Sequence, residues 1–449
     1  MSLTIPSFFS AEDKRSQKVK KNIIASTIIK VVDGVTNLLI VPVTLGYLSS
    51  YEYGVWLVLS SILSWINTFD IGLGNGLRNK LTESLAKGDQ EASRKYVTTT
   101  MFVLIVIVVV LICVFSPLIM WMNWYSALNV EESIVPNLRS IVYTAFVLFC
   151  FNFAFKFIGN VYQALQLPAI SNLIGFLGRF VALAAIFICS KIIKGNLLIV
   201  SIIYSASPLL VCIAFYPITF KTLYPFLSPS LKCFDRSCIK DLLSLSVLFF
   251  LLQLGGLVLF AMSNFMISKW FGPDEVTPYN ISYQYFSLAL VVFSLLITPL
   301  WSAVTDAFAK GEMEWIKNTH LKVKKLLLFI GALLLVMLFA SSFVYHIWVG
   351  DGISVPFHMS ALLALYVYIT LWSVGYSYFL NGMNKLKIQA INTITMAILF
   401  YPVCFFLSKP FGVNGIIIGM CLLNIPGAVF NYIQFNKLIG RKATGLWAQ

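Results

Sequence analysis

The chain has 449 residues, of which 59% are hydrophobic and only 11% charged, with a mean hydropathy of +0.86. That is too little polar surface to coat a soluble globule of this size, which excludes a soluble enzyme or binding module and requires a polytopic membrane protein. The formal net charge of +14 does not mark a nucleic-acid surface: cut at its apolar runs, the chain places 24 of its 32 Lys and Arg on one side and only five on the other. That asymmetry is the positive-inside rule, and it sets both termini in the cytoplasm.

The start of the chain is basic at Lys14, Arg15, Lys18, Lys20 and Lys21, then apolar for over twenty residues. Without a short apolar core and a small-residue cleavage site it reads as a tail and a first span, not a removable signal peptide. With about 20 apolar residues per crossing, spans fall near 23–46, 53–75, 97–121, 140–163, 170–190, 197–219, 242–267, 279–301, 326–348, 358–380, 388–407 and 414–435. The predicted fold is therefore all-α: twelve transmembrane helices in two six-helix lobes around a central cavity. The segments are a tail over 1–22, an N-lobe over 23–219, a cytoplasmic linker over 220–241, a C-lobe over 242–435 and a second tail over 436–449. Six of the eight cysteines lie in spans, and Cys233 and Cys238 share an inner loop, so neither disulfides nor a zinc site is expected.

Three cations, Lys30, Lys156 and Arg179, are left inside spans. A cation in hydrocarbon is costly unless it faces water or a partner. In the first span Thr27, Lys30, Gly34 and Asn37 recur at helical spacing, and Asp33 lies one turn beyond Lys30, where the two can pair. The fourth span carries Asn152, Lys156, Asn160 and Gln163 on one face, and the fifth carries Asn172 with Arg179 seven residues on. Each stripe is expected to line a wet cavity. Lys30 and Lys156 have the alternative of snorkelling to the interface. Asp33 is either the counter-ion of Lys30 or a coupling-ion site.

The loop after the second span, Thr82-Glu83-Ser84-Leu85-Ala86-Lys87-Gly88-Asp89, matches Thr305-Asp306-Ala307-Phe308-Ala309-Lys310-Gly311-Glu312 after the eighth at an offset of 223. Glu52 meets Glu275 at the same offset, while Gln163-Ala164-Leu165-Gln166 matches Asn381-Gly382-Met383-Asn384 and Asn196 matches Asn414 at 218. An even number of spans per copy gives the copies one orientation, a parallel repeat of the kind that builds two-lobed transporters. In the second copy Lys30 and Asp33 become Gln253 and Gly256, and Lys156 and Arg179 become Val374 and Ala397. Its polar positions are neutral: Gln253, and a stripe of Tyr366, Thr370, Ser373 and Ser377. A cationic lobe facing a polar, aromatic one suits a ligand with an anionic head and a hydroxyl-rich body.

Gly72, Gly74 and Gly76 are not a phosphate loop, since no strand precedes them. Gly255-Gly256 and Pro42 suit either helix bending or close packing. Glu131-Glu132 has no third ligand nearby and reads as solvated surface. Three stretches carry a resemblance: Tyr51-Glu52-Tyr53-Gly54-Val55-Trp56, Phe69-Asp70-Ile71-Gly72-Leu73-Gly74-Asn75-Gly76-Leu77-Arg78-Asn79, and Phe411-Gly412-Val413-Asn414-Gly415. Over essentially its whole length the chain resembles bacterial O-antigen and polysaccharide flippases of the Wzx type, in the superfamily they share with multidrug exporters and lipid II flippases.

The resemblance implies a non-enzymatic carrier in the bacterial inner membrane. Such a carrier moves an undecaprenyl-pyrophosphate-linked oligosaccharide to the periplasmic leaflet by alternating access. Its partners would be membrane lipids, the O-antigen polymerase and the chain-length regulator, with no nucleic acid. It also implies a cationic lumen, matched here in character by Lys30, Lys156 and Arg179. No cofactor is expected, and the drive would come from a proton or sodium gradient with Asp33 as candidate coupler. Asn37, Asn152, Asn160 and Asn172 complete the expected polar lining. The alternative is a multidrug and toxin exporter of the same fold, which would be expected to offer carboxylates to cationic drugs. A membrane glycosyltransferase or polymerase would need a large catalytic outer loop or an acidic metal site, and neither is visible.

Overall fold

The computed structural model describes residues 14–70, 73–243, 261–309, 311–383 and 385–448. Gln253 and the Gly255-Gly256 pair lie outside them. The described chain is helical, with α1 (Lys14–Leu45), α2 (Ser50–Leu63), α3 (Leu73–Ala86), α4 (Gln90–Trp121), α5 (Trp124–Leu128), α6 (Leu138–Phe155), α7 (Ile158–Ala164), α8 (Pro168–Ile192), α9 (Leu197–Pro217) and α10 (Ser237–Leu243). They are followed by α11 over residues 261–271, then α12 (Val276–Ala309), α13 (Met313–Val349), α14 (Phe357–Gly382), α15 (Lys387–Phe411) and α16 (Val413–Ile439). Among the described residues nine helices are long and apolar enough to cross a bilayer.

Their burial is that of a membrane protein. Along α13 the buried positions Ile316, His320, Val323, Leu327, Ile330 and Leu334 recur every three or four residues, while Phe339 is 78% exposed. An apolar surface of this extent is stable only against lipid. The helices begin where local chemistry directs. Asp89 Oδ1 accepts from Ala92 N at 2.9 Å to cap α4, Asn196 caps α9 through Leu198 N at 2.8 Å, and Pro168 opens α8 where its missing N–H costs nothing.

The chain divides into two compact units. The first comprises Met1–Ser49, Leu63–Tyr125 and Glu131–Phe250, and the second comprises Ser50–Ile62, Ser126–Val130 and Leu251–Gln449. In the first, α8 packs on α1 and α9, α6 joins α9 to α4, and α3 and α7 close against α4 and α8. In the second, α14 is central, touching α12, α13 and α16, and α15 packs on α16.

Several expected boundaries move. The span expected over 53–75 stops as α-helix at Leu63 and continues as a 3₁₀ segment, Ser64–Asp70. The stretch expected as a loop after it is largely α3, because Leu73, Leu77 and Leu81 recur every fourth residue and are fully buried. The fourth span is not continuous either. At Lys156–Phe157 the hydrogen bonds tighten, with Gly159 N donating to Lys156 O at 3.0 Å and Asn160 N to Phe157 O at 2.9 Å. A 3₁₀ turn inside a long helix often marks a functional bend.

Equivalent turns of the sequence repeat share one geometry. Gly88 and Gly311 both adopt positive φ, 73° and 76°. Asp89 N donates to Ser84 O at 3.0 Å and Glu312 N to Ala307 O at 2.8 Å, so both helices end in the same glycine-dependent cap. At the other offset, Leu167 N reaches Tyr162 O at 2.8 Å and Lys385 N reaches Leu380 O at 2.9 Å.

Gly54 explains part of the first diagnostic stretch. A Cβ there would run into the Pro273 carbonyl, and Thr277 Oγ1 lies 3.2 Å away. Thr277 Oγ1 also donates to Ser50 O at 2.8 Å, so α2 and the start of α12 meet backbone to backbone. Gly54→Val is expected to destabilise by about 1–3 kcal/mol through overpacking, whereas Gly34→Ala, with no atom within 4 Å of its new Cβ, gains helix propensity. Thermal unfolding of the two purified variants checks the contrast: a lower melting temperature for the first only.

Candidate functional site

The first unit contains a cavity of about 430 Å³ whose polar lining is Asn67, Asn152, Lys156, Asn160, Gln163, Ser171 and Arg179. Leu104, Phe153, Phe157, Ile174, Pro208 and Cys212 complete the wall together with Gly159 and Gly175. The spacing of Asn152, Lys156, Asn160 and Gln163 keeps all four on one side of α6 and α7, despite the turn between them. Arg179 arrives from α8, two helical turns beyond Ser171. Two of the three span cations thus line one wall system.

Arg179 is held by Asp33. Nε donates to Oδ1 at 2.6 Å and Nη2 to Oδ2 at 2.5 Å, a two-point fork-to-carboxylate pair between α8 and α1. Its side chain is still 47% exposed and that of Asp33 20%, so the guanidinium is paired but open to the cavity. This corrects the expectation that Asp33 pairs with Lys30. The i, i+3 relation within α1 permits that bond, but a lysine offers a single point charge where Arg179 offers two parallel donors. Lys30 is exposed on α1 and does not line the cavity.

Seven residues earlier on both helices, Asn172 Nδ2 donates to Ser26 Oγ at 2.5 Å. Both contacts join residues 146 apart, so α1 and α8 run parallel in a single register with one neutral and one ionic fastening. Asn37 is exposed on α1. Lys156 is exposed and points Nζ to Asn67 Oδ1 at 3.5 Å. Asn152 Oδ1 is buried with no hydrogen-bond partner among the described residues, an acceptor unused in the cavity wall.

Sequence reading missed Asn67 and Ser171 in this lining, and Arg78, which donates from Nη1 to Gln163 Oε1 at 3.4 Å. Gln163 Nε2 continues to Ser171 Oγ at 3.3 Å. The signal available for Asn67 was a polar cluster, Ser64, Asn67, Thr68 and Asp70, within an expected span.

In the second unit the expected stripe is spent on packing. Tyr366 is 7% exposed and lies against Tyr283, ring centres 6.3 Å apart. Thr370 Oγ1 turns back to Tyr366 O at 2.9 Å. Ser377 accepts from Asn431 Nδ2 at 2.9 Å and Ser373 Oγ from the same nitrogen at 3.3 Å, fastening α14 to α16. Among the described residues no group of three or more His, Cys, Asp or Glu is placed to hold a metal.

A bundle of long apolar helices with a cationic, amide-lined cavity has the character of a membrane transporter, and comparison with solved structures gives the same fold. An inward-facing multidrug resistance transporter of the MATE family in the MOP superfamily superposes with a TM-score of 0.77 at 14% identity, covering 94% of this chain and 98% of that one. The outward-facing form of such a transporter gives 0.66 at 15%, covering 94% and 96%. At these identities the likeness is one of fold. The sequence itself matches the family described as "Polysaccharide biosynthesis protein" over residues 19–304, and the chain belongs to that family. A Salmonella typhi protein named for O-antigen transport is 21% identical over 406 residues, covering 89% of this chain and 91% of that one. One from Yersinia pseudotuberculosis named for O-antigen export is 23% identical over 396 residues, covering 85% and 87%.

A hydrated cationic cavity has a chemical signature. In a cysteine-free background, Asn160→Cys is expected to react with an anionic, membrane-impermeant thiosulfonate roughly tenfold faster than with a cationic one, about 1.4 kcal/mol of electrostatic preference. Equal rates would mean a wet cavity without net positive potential, and no reaction with either reagent a dry one.

Proposed function

We propose that this transporter moves a polyprenyl-diphosphate-linked oligosaccharide, the O-antigen or polysaccharide repeat unit, from the cytoplasmic to the periplasmic leaflet of the bacterial inner membrane. The single observation that supports this most is the meeting of Arg179 and Lys156 in one cavity of the first unit. A diphosphate presents several oxygens, which a planar guanidinium can bind at two points and an ammonium can neutralise. The amides of Asn67, Asn152, Asn160 and Gln163 suit the neighbouring sugar hydroxyls, while the polyprenyl tail remains in lipid. Lys30, outside this cavity, would act on the approach rather than in the site.

The architecture proposed for this task is twelve spans in two parallel six-helix repeats, with both termini cytoplasmic. The shared caps at Gly88 and Gly311 support the repeat. Transport would proceed by alternating access, driven by a proton or sodium gradient with Asp33 the candidate coupler. The polymerase and chain-length regulator of the same polysaccharide are the partners to seek.

A second reading is a multidrug and toxin exporter. The solved structures of like fold are described as multidrug transporters, and on that comparison alone this reading is the better supported. The charge of the cavity turns the proposal the other way: its two charged lining residues are cations, and the neighbouring carboxylate, Asp33, is already engaged by one of them. A cationic drug would meet repulsion there.

Arg179→Ala is expected to abolish surface polysaccharide in a strain deleted for the gene while protein abundance stays near normal. Arg179→Lys should restore only part, because a lysine cannot make the two-point contact. Immunoblots of polysaccharide and of tagged protein check both. Full complementation by the alanine variant removes Arg179 from the mechanism, and loss of resistance to cationic drugs on deletion, with polysaccharide intact, would establish the exporter instead.

A further inference from the structure

We infer that Asp33 is the resident occupant of an anion site on the Nε–Nη2 edge of Arg179: a diphosphate gains that edge only by displacing the Asp33 carboxylate. The inference rests on the reading of Arg179 as the substrate's anion contact and adds how that contact is regulated.

The geometry is that of a ligand already bound. A carboxylate offers two oxygens to the guanidinium fork, and here both are used, through Nε and Nη2. A phosphate group that takes this edge, the one that also carries Nε, for its own two-point contact cannot share it with the carboxylate, so the two anions exclude one another there. The pair is also held in place by the fold. Ser26 and Asn172, seven residues earlier on α1 and α8, fix the same register, so Asp33 faces Arg179 without a search. An occupant fixed in this way is an intramolecular competitor of high effective concentration.

The competitor is nevertheless displaceable. The side chain of Arg179 is 47% exposed and Asp33 is 20% exposed, so the pair is accessible at the cavity rather than sealed in a core. A diphosphate carries more charge than one carboxylate and reaches a second cation, Lys156, in the same cavity. Asp33 has one carboxylate and one partner. The net result is an anion site that rejects weak monoanions and yields to a dense, multivalent head, a selectivity for diphosphates over the carboxylates and single phosphates of ordinary lipids.

The test is equilibrium binding of farnesyl diphosphate to the full-length protein in nanodiscs, with farnesol as the uncharged control. Asp33→Asn should bind the diphosphate at least tenfold more tightly than wild type. Asp33→Glu should stay near wild type, and Arg179→Ala should bind weakly whether or not Asp33 is present. Should the asparagine variant not purify, Asp33→Ser removes the same carboxylate and carries the same expectation. Unchanged or weaker binding on removing the carboxylate overturns the inference and makes Asp33 a positioning residue for Arg179; a loss in Arg179→Ala alone would still leave the anion site standing. Equal binding by wild type and Arg179→Ala fails the underlying reading, and the inference with it.

Discussion

A guanidinium inside a membrane span is the constraint around which the first unit is arranged. Charged groups at bilayer depth are tolerated only where they meet water or an opposite charge, and Arg179 meets an opposite charge at the wall of an open cavity. Asp33 takes two of its donors, and the cavity lined by Lys156 and four amide side chains receives the rest. The consequence is mechanical as well as chemical. The contact between α1 and α8 carries an ionic fastening that an anion from outside can compete for, and a neutral one at Ser26–Asn172 that it cannot.

Among the described residues, polar side chains serve both the cavity and the contacts between helices. In the first unit, asparagine and lysine side chains are turned into open space, and Asn152 keeps an acceptor without a partner. In the second, Asn431 bridges Ser373 and Ser377 between helices, while Asn381 and Gln389 each keep a buried polar atom without a partner among the described residues. Polar bonds between helices at membrane depth are modest individually but remove the cost of an unsatisfied group.

Much of this was legible in the sequence, because the bilayer imposes length and composition on each span and leaves little freedom. The stripe of Asn152, Lys156 and Asn160 was readable from helical periodicity, and the bend at Lys156 did not remove it from one face. The partner of Asp33 was not readable. Sequence spacing favours Lys30, three residues away, whereas the bond goes to a residue 146 positions on, which only helix packing determines. The 3₁₀ segment that carries Asn67 into the cavity was hidden for a different reason: it follows directly on an apolar helix, and length alone reads the two as one continuous span. The stripe of Tyr366, Thr370, Ser373 and Ser377 was visible as a pattern, but periodicity reports which residues share a face and not what that face meets.

The central claim is that the Arg179 guanidinium receives a diphosphate in exchange for Asp33. A cryo-electron-microscopy structure of the protein with a polyprenyl-diphosphate-linked saccharide tests it most directly. The account predicts phosphate density against Nε and Nη2 of Arg179, with Lys156 turned to the same group and Asp33 withdrawn. Saccharide-lipid density elsewhere, with the Asp33–Arg179 pair intact, would contradict it.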